Sequence, residues 1–282
     1  MDVIRMAIHF MEVFPMLPEV TVLVPFYNRE QYLCYALESV CKQTYLNWKM
    51  ILIDDGSTDQ SVQSVAPFLN DSRISLIKSH KNEGQSKSLN KGLDLVDTPF
   101  VMTLDSDDWL HPDALNILVN EARSLPDTYA VVHGNITAVF QDKKGTISRE
   151  VIKKGQQIKD RYHFVLGYPD TFICPRFYRT SAVKELGGWP TDDPYGGRYI
   201  EDLPVMLHLI ENYQFHYTNK ALYYYRQHTD MSTTNIEIVA DKMKWVIRQA
   251  LKRWGDRYEP IFKIIDDGWI VVERLKEKDG EK

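Results

Sequence analysis

The run Thr103-Leu104-Asp105-Ser106-Asp107-Asp108-Trp109 places three carboxylates directly after an apolar segment. Two carboxylates about 4 Å apart repel by roughly 4 kcal/mol at an effective dielectric near 20. A protein answers that repulsion by raising the pKa values, by splaying the groups into water, or by binding a cation. Oxygen ligation suits Mg2+ or Mn2+ held partly by substrate phosphates. Asp105, Asp107 and Asp108, with Ser106 between them, are the candidates to meet such a cation and the phosphates it holds. The plain alternative is an acidic turn in which Asp108 caps the helix that Pro112 begins.

A second acidic pair, Glu201-Asp202, precedes Leu203-Pro204 at the expected start of a helix. There the helix dipole favours the charged carboxylate by about 0.3–1 kcal/mol, which suits a general base. Ordinary charge complementarity at a helix start explains the same residues. In Tyr225-Arg226-Gln227-His228, Arg226 and His228 lie two apart in a β-like stretch, so both can face phosphates on one side. His228 has an imidazole nitrogen to offer a metal, although a lone histidine is more often structural.

These groups need a scaffold. Short β-rich runs at Val20–Val24, Met50–Ile53, Ile74–Ile77, Phe100–Leu104 and Tyr129–Val132 alternate with helical patterns. Asn28 is placed to cap a helix bearing Leu33, Ala36, Leu37 and Val40, and Ser57 to cap one ahead of Val62 and Val65. Pro112 suits the first turn of a helix with Leu115, Leu118 and Val119. The fold class is therefore α/β, a Rossmann-like and mostly parallel sheet with helices on both faces. Ligands bind beyond the carboxyl ends of such strands, so four loops are read together. Pro25 to Asn28 follow the first strand, and Tyr27 can stack on a base. Asp55 follows the second, as an acceptor for a base or ribose. Asn82 and Gly84 lead into a helix N-terminus that can receive polar or anionic groups. Lys87 and Asn90 on that helix can touch the ligand, or simply be solvated and packed. The aspartate cluster closes the set.

Beyond residue 136 the alternation ends. Residues 136–175 read as irregular, with a hairpin around Lys143-Lys144-Gly145. A short helix over Ser181–Leu186 stops at Gly187-Gly188. Residues 200–212 follow as a helix with Pro204 in its first turn, then a β-rich stretch over Phe215–Arg226. A long amphipathic helix carries Ile236, Val239, Met243, Val246, Ile247, Ala250 and Trp254. Residues 1–235 read as one domain in two halves, over about 19–135 and about 136–235. Residues 236–282 form a C-terminal helical extension packed on it.

The 282 residues carry a net charge of -5, which argues against non-specific nucleic-acid binding. Cys34, Cys41 and Cys174 lack metal-type spacing and read as reduced thiols of a cytoplasmic protein. No run approaches the roughly 18 apolar residues of a membrane span, and residues 1–17 lack a secretory layout. Their interrupted apolar pattern fits a docked amphipathic helix better than a peripheral membrane-surface anchor.

Taken together, Val24-Pro25-Phe26-Tyr27-Asn28, Ile53-Asp54-Asp55-Gly56-Ser57-Thr58-Asp59 and Leu104-Asp105-Ser106-Asp107-Asp108 resemble the three N-terminal signatures of family 2 glycosyltransferases with the GT-A fold. Asn82-Glu83-Gly84 through Asn90-Lys91-Gly92 resembles the donor-side segment, with Leu89 where many members carry an arginine. Gly187-Gly188-Trp189, Glu201-Asp202 and Tyr225-Arg226-Gln227-His228 resemble the acceptor loop, the catalytic acidic pair and the C-terminal metal or phosphate motif. The resemblance covers about residues 19–235. It implies inverting transfer from a nucleotide-sugar, by default a UDP-sugar, to a glycan, lipid-linked or other hydroxyl acceptor in cell-surface polysaccharide biosynthesis. Asp202 would be the base, Glu201 its orienting neighbour, and Asp107 with Asp105 or Asp108 would hold Mn2+ or Mg2+. His228 would complete the metal shell and Arg226 would meet phosphate, with Gly188, Trp189 and Tyr199 on the acceptor. Two rivals make distinct demands. A sugar nucleotidyltransferase needs a glycine-rich loop where Pro25-Phe26-Tyr27-Asn28 stands. A non-catalytic binding module would have lost Asp107, Asp202 or His228.

Overall fold

The computed structural model describes residues 17–142, 146–168, 173–228, 235–265 and 268–278. The expected helix over 1–17, apart from Leu17, and the turn at 143–145 lie outside them. Along the chain come β1 (Val20–Phe26), α1 (Leu33–Cys41), β2 (Trp48–Asp54), the single-turn α2 (Ser61–Ser64), β3 (Ile74–Lys78), α3 (Gln85–Leu93), β4 (Phe100–Thr103), the short β5 (Trp109–Leu110) and α4 (Ala114–Ser124).

Val20, Val22 and Val24 pack into one hydrophobic cluster and Leu23 into another. That is the two-residue period of a strand covered on both faces. Met50 and Leu52 join the valine side, Ile51 and Ile53 the leucine side. Leu33, Leu37 and Val40 of α1 and Leu115, Leu118 and Val119 of α4 complete the first cluster; Leu89 and Leu93 of α3 enter the second. Burying each such side chain stabilises the fold by roughly 1.5–3 kcal/mol. The strands run parallel in the order β3-β2-β1-β4.

The second half is more regular than its sequence suggests. It holds β6 (Tyr129–Gln141), β7 (Ile147–Lys153), α5 (Arg161–Gly167), β8 (Arg176–Arg179), α6 (Thr180–Glu185), α7 (Asp202–Asn212) and β9 (Gln214–Gln227). β8 is antiparallel to β4 and to β6, and β9 is parallel to β6, extending the sheet in the order β4-β8-β6-β9-β5. β7 pairs with β6 alone, and its side chains are exposed or half-buried. The described residues of 136–175, expected to be irregular, thus include the end of β6, all of β7 and α5. Gly134 and Asn135 interrupt the β6 pattern locally, and register shifts against β9 absorb them.

The C-terminal extension starts as expected with α8 (Ile236–Arg253), then departs from it. β10 (Tyr258–Ile264) and β11 (Ile270–Glu277) close an antiparallel hairpin. Val239, Met243 and Ile247 of α8 share one hydrophobic cluster with Leu203 and Met206 of α7 and with Ile270 and Val272 of β11. Among the described residues, no helix is long and apolar enough to cross a membrane.

Candidate active site

Four loops at the carboxyl edge of the parallel strands are stitched to one another. Asn28 takes a left-handed conformation, φ 51°, instead of capping α1. Its side-chain oxygen accepts from Thr58 N at 2.8 Å, and its own N–H donates to Ser57 Oγ at 3.0 Å. Ser57 therefore serves the neighbouring loop and caps no helix; it is Asp59 that accepts from Ser61 N. Asp54 turns its own loop by accepting from Ser57 N at 2.8 Å. Gly56 has φ +80°, and a Cβ there would lie 2.7 Å from the Lys81 carbonyl carbon, so only glycine fits. Asp55 binds the third loop, accepting from Glu83 N at 2.9 Å and Gly84 N at 2.8 Å. Ser86 N donates to Gly197 O at 3.2 Å. The N-terminus of α3, expected to receive ligand groups, thus already has protein partners. Gln85 Nε2 then reaches Asp105 Oδ1 at 3.1 Å, joining the third loop to the fourth.

The three clustered aspartates have separate fates. Asp108 is turned inward, 1% exposed, and accepts from Arg226 N at 2.8 Å. Burial, then the charges of Asp107 and Asp105, push its carboxyl well above the usual carboxylate range. Asp108 thus faces the β9 backbone, unlike Asp105 and Asp107, whose side chains are half-buried. For Asp107, burial pushes upward, but the His228 hydrogen bond and the Arg29 charge outweigh it and hold the group below its ordinary value. Its Oδ2 is 3.1 Å from His228 Nε2 and 3.6 Å from Arg29 Nε. Asp105 pairs with Arg176 Nη2. Ser106 is buried.

Arg176, on β8, is the residue that sequence reasoning missed. Its other terminal nitrogen lies 3.5 Å from both Glu201 Oε1 and Asp202 Oδ2, at the start of α7. One guanidinium thus joins the aspartate loop to the second acidic pair. Glu201 is buried at 5% exposure; burial and then the charge of Asp202 push its carboxyl up to about 8, against the pull of Arg176. The Asp202 side chain is 25% exposed against 7% for Glu201, so Asp202 is the one of the pair that meets solvent. Tyr199 and Ile200 precede them with φ 59° and 32°, strained values for side-chain-bearing residues.

Other expected contacts are placed differently. Pro25 is buried inside β1 opposite Ile53 rather than on the loop, while Tyr27 is 39% exposed. Arg226 does not face the cleft: it donates to Asp107 O at 2.7 Å and lies over the Trp109 ring at 4.6 Å, clamping the aspartate loop to β9. Trp189 is 2% exposed and packs edge-on against Tyr178, so it has no face for a sugar. Gly188-Trp189 instead anchors α3, since Trp189 N donates to Asn90 Oδ1 at 2.7 Å and Asn90 Nδ2 returns a bond to Trp189 O at 2.9 Å. Tyr199 is half-buried and stacks edge-on with Tyr195 at 6.0 Å. Asn82 accepts from Arg198 through its carbonyl at 2.9 Å and through its side chain. Lys87 lines a cleft of about 190 Å³ with Asn82, Tyr195 and Arg198.

Among the described residues, no three carboxylate, imidazole or thiol side chains converge as a metal-binding group. A protein-only cage is therefore absent among them, and the fit of a metal rests on the Asp107–His228 pair. Asp107 Oδ2 and His228 Nε2, hydrogen-bonded to each other at 3.1 Å, bring a carboxylate and an imidazole together, and both are donor types that such a cation accepts. Mg2+ and Mn2+ sites of this kind draw their remaining oxygens from substrate phosphates and water.

A parallel half-sheet with polar loops at its carboxyl edge, continued by a mixed half that brings a second acidic pair to the same edge, is the GT-A arrangement of a glycosyltransferase. Residues 21–187 match the family model for glycosyl transferase family 2, and the chain belongs to that family. It is 29% identical over 225 residues to glycosyltransferase GlyA of Streptococcus pneumoniae, covering 74% of this chain and 30% of that protein. It is 25% identical over 255 residues to chondroitin synthase of Escherichia coli, covering 86% and 34%. The chain spans about half the length, or less, of the relatives it matches. Its fold resembles S. aureus TarS in complex with UDP-GlcNAc, with TM-score 0.61, 22% identity, and coverage of 83% of this chain and 66% of that one. Mannosyltransferase PcManGT of Pyrobaculum calidifontis, in complex with GDP-Man and Mn2+, gives 0.61 at 16% identity, with 84% and 65% covered.

Proposed function

We propose that this chain transfers a sugar from a nucleotide diphosphate donor, a UDP-sugar in the first instance, to an acceptor hydroxyl with inversion at the anomeric carbon. The observation that carries the reading is the Arg176 bridge, which sets Asp202 and the Asp105–Asp107 loop at one sheet edge. Asp202 Oδ2 takes the proton of the acceptor hydroxyl as the hydroxyl oxygen bonds to the anomeric carbon, and the bond from that carbon to the diphosphate oxygen breaks. Glu201, held neutral below about pH 8, leaves the basic role to Asp202. Asp107 and His228 would hold Mn2+ or Mg2+, which when bound neutralises charge on the departing diphosphate. Tyr27 and the loop around Asp55, Asn82 and Gly84 border the base and ribose. Support comes from the nucleotide-sugars held by TarS and PcManGT and from the Mn2+ in the latter. A place in polysaccharide assembly is supported by the similarity to chondroitin synthase.

The test is thermal stabilisation by a panel of nucleoside diphosphates with and without Mn2+. A metal-dependent rise in melting temperature for at least one of them is expected, and it should vanish in His228→Ala and Asp107→Asn. No rise with any of them would overturn the donor reading.

A further inference from the structure

α8 lies outside residues 21–187 that match the family, yet its Lys242 is wholly buried. Lys242 Nζ lies 3.1 Å from Asp193 Oδ2, a side chain 2% exposed, and donates to Arg198 O at 2.7 Å. An ion pair this deep is a weak source of net stability, because desolvating both charges offsets their attraction; what it fixes is geometry. Asp193 also shapes its own loop, accepting from Tyr195 N at 2.8 Å and Gly197 N at 2.9 Å. Tyr195 OH adds a second tie to α8, through Asp241 Oδ2 at 2.8 Å.

The far side of this loop presses on the donor-side segment. Arg198 donates to Asn82 through both terminal nitrogens. A Cβ on Gly84 would lie 2.7 Å from Arg198 Cγ, and one on Gly197 would lie 2.6 Å from Ser86 Cβ. Gly84 is also where Asp55 is bonded. The next two residues after Arg198, Tyr199 and Ile200, hold the strained backbone that delivers Glu201 and Asp202. Such strain persists only where the surroundings over-determine it. The bond from Lys242 to Arg198 O sits one residue before the strain begins.

We infer that Lys242 is a positioning residue: through Asp193 and Arg198 it latches the 193–201 loop onto the Asn82–Gly84 segment and so sets the donor pocket and the approach of Asp202. This rests on the donor reading above. The C-terminal extension is on this account part of the binding machinery.

The experiment compares wild type with Lys242→Met, Asp193→Asn/Lys242→Met and Arg198→Ala. Measured are melting temperature, amide exchange over 82–88 and 193–201, and calorimetric affinity for UDP or GDP with Mn2+. Lys242→Met alone strands a buried carboxylate and should melt early. The double variant removes both charges and should recover much of that stability. Its two segments should nevertheless exchange about tenfold faster and its nucleotide affinity should fall about tenfold, as expected for one or two lost hydrogen bonds. Recovery of affinity and protection together with stability would overturn the inference. If the double variant does not fold, Arg198→Ala decides: it leaves the buried pair in place, and wild-type affinity in that variant overturns the latch. A wild type that binds neither nucleotide sinks the donor reading, while amide exchange still tests the latch.

Discussion

Arg176 Nη1 stands 3.5 Å from Asp202 Oδ2 while the other end of the same guanidinium holds Asp105, so the candidate base and the aspartate loop share one cation. The side chain is 9% exposed. Its charge balances Asp105 and Asp202, whose carboxylates would otherwise repel in a poorly hydrated cleft, and it lies beside the buried Glu201.

Arg176→Met should lower stability by about 3–5 kcal/mol, the usual consequence of removing one partner from a buried charge cluster. Denaturant unfolding measures the loss. A variant as stable as wild type would mean that Arg176 does not hold the two acidic segments together.

Asp202→Asn should reduce sugar transfer by about 10²–10⁴, the range for loss of a general base. Nucleotide affinity should stay near wild type, since Arg176 stands between Asp202 and the Asp105 loop. Nucleoside diphosphate release and calorimetric binding separate the two. Lost binding would give Asp202 a different role.

Much of this arrangement is legible in the sequence, for a local reason. Strand and helix periods place Tyr27, Asp55, Asn82 and Asp105 at the ends of successive parallel strands, and the geometry of such a sheet brings those ends together. Arg176 is 71 residues from Asp105, and nothing in its neighbourhood marks it. Its role exists only because β8 pairs with β4. Asn28 has the residue type of a helix cap, yet its partner Thr58 lies on another loop, so tertiary bonding overrides the local preference. Gly188-Trp189 is visible as a motif, but the direction of the indole is not. Tyr178 and Asn90 decide that from two other elements.

Glu201→Gln should flatten the pH dependence of stability. In wild type the native state keeps the Glu201 proton up to about pH 8, whereas the unfolded chain releases it near 4.5. Between those values the native state binds more protons, so stability falls as pH rises. Below 4.5 glutamine and glutamic acid should behave alike, and the variant should gain on wild type towards the alkaline end. Melting curves across this range check it; a parallel offset at every pH would rule out titration of Glu201 as the cause.

Trp189→Ala should destabilise the protein by about 3–5 kcal/mol through the cavity it leaves. Thermal unfolding measures the loss. A variant with an unchanged melting temperature and weakened acceptor binding would return Trp189 to the acceptor site.

β7 has a consequence for self-association. Among the described residues its outer edge pairs with no strand, so its backbone groups form an open template. A second copy docking there antiparallel and centred on Glu150 would set that carboxylate directly against its own counterpart. Like charges opposite each other weaken a strand pair. The mid-strand acid thus guards the one register in which two identical edges would align end to end.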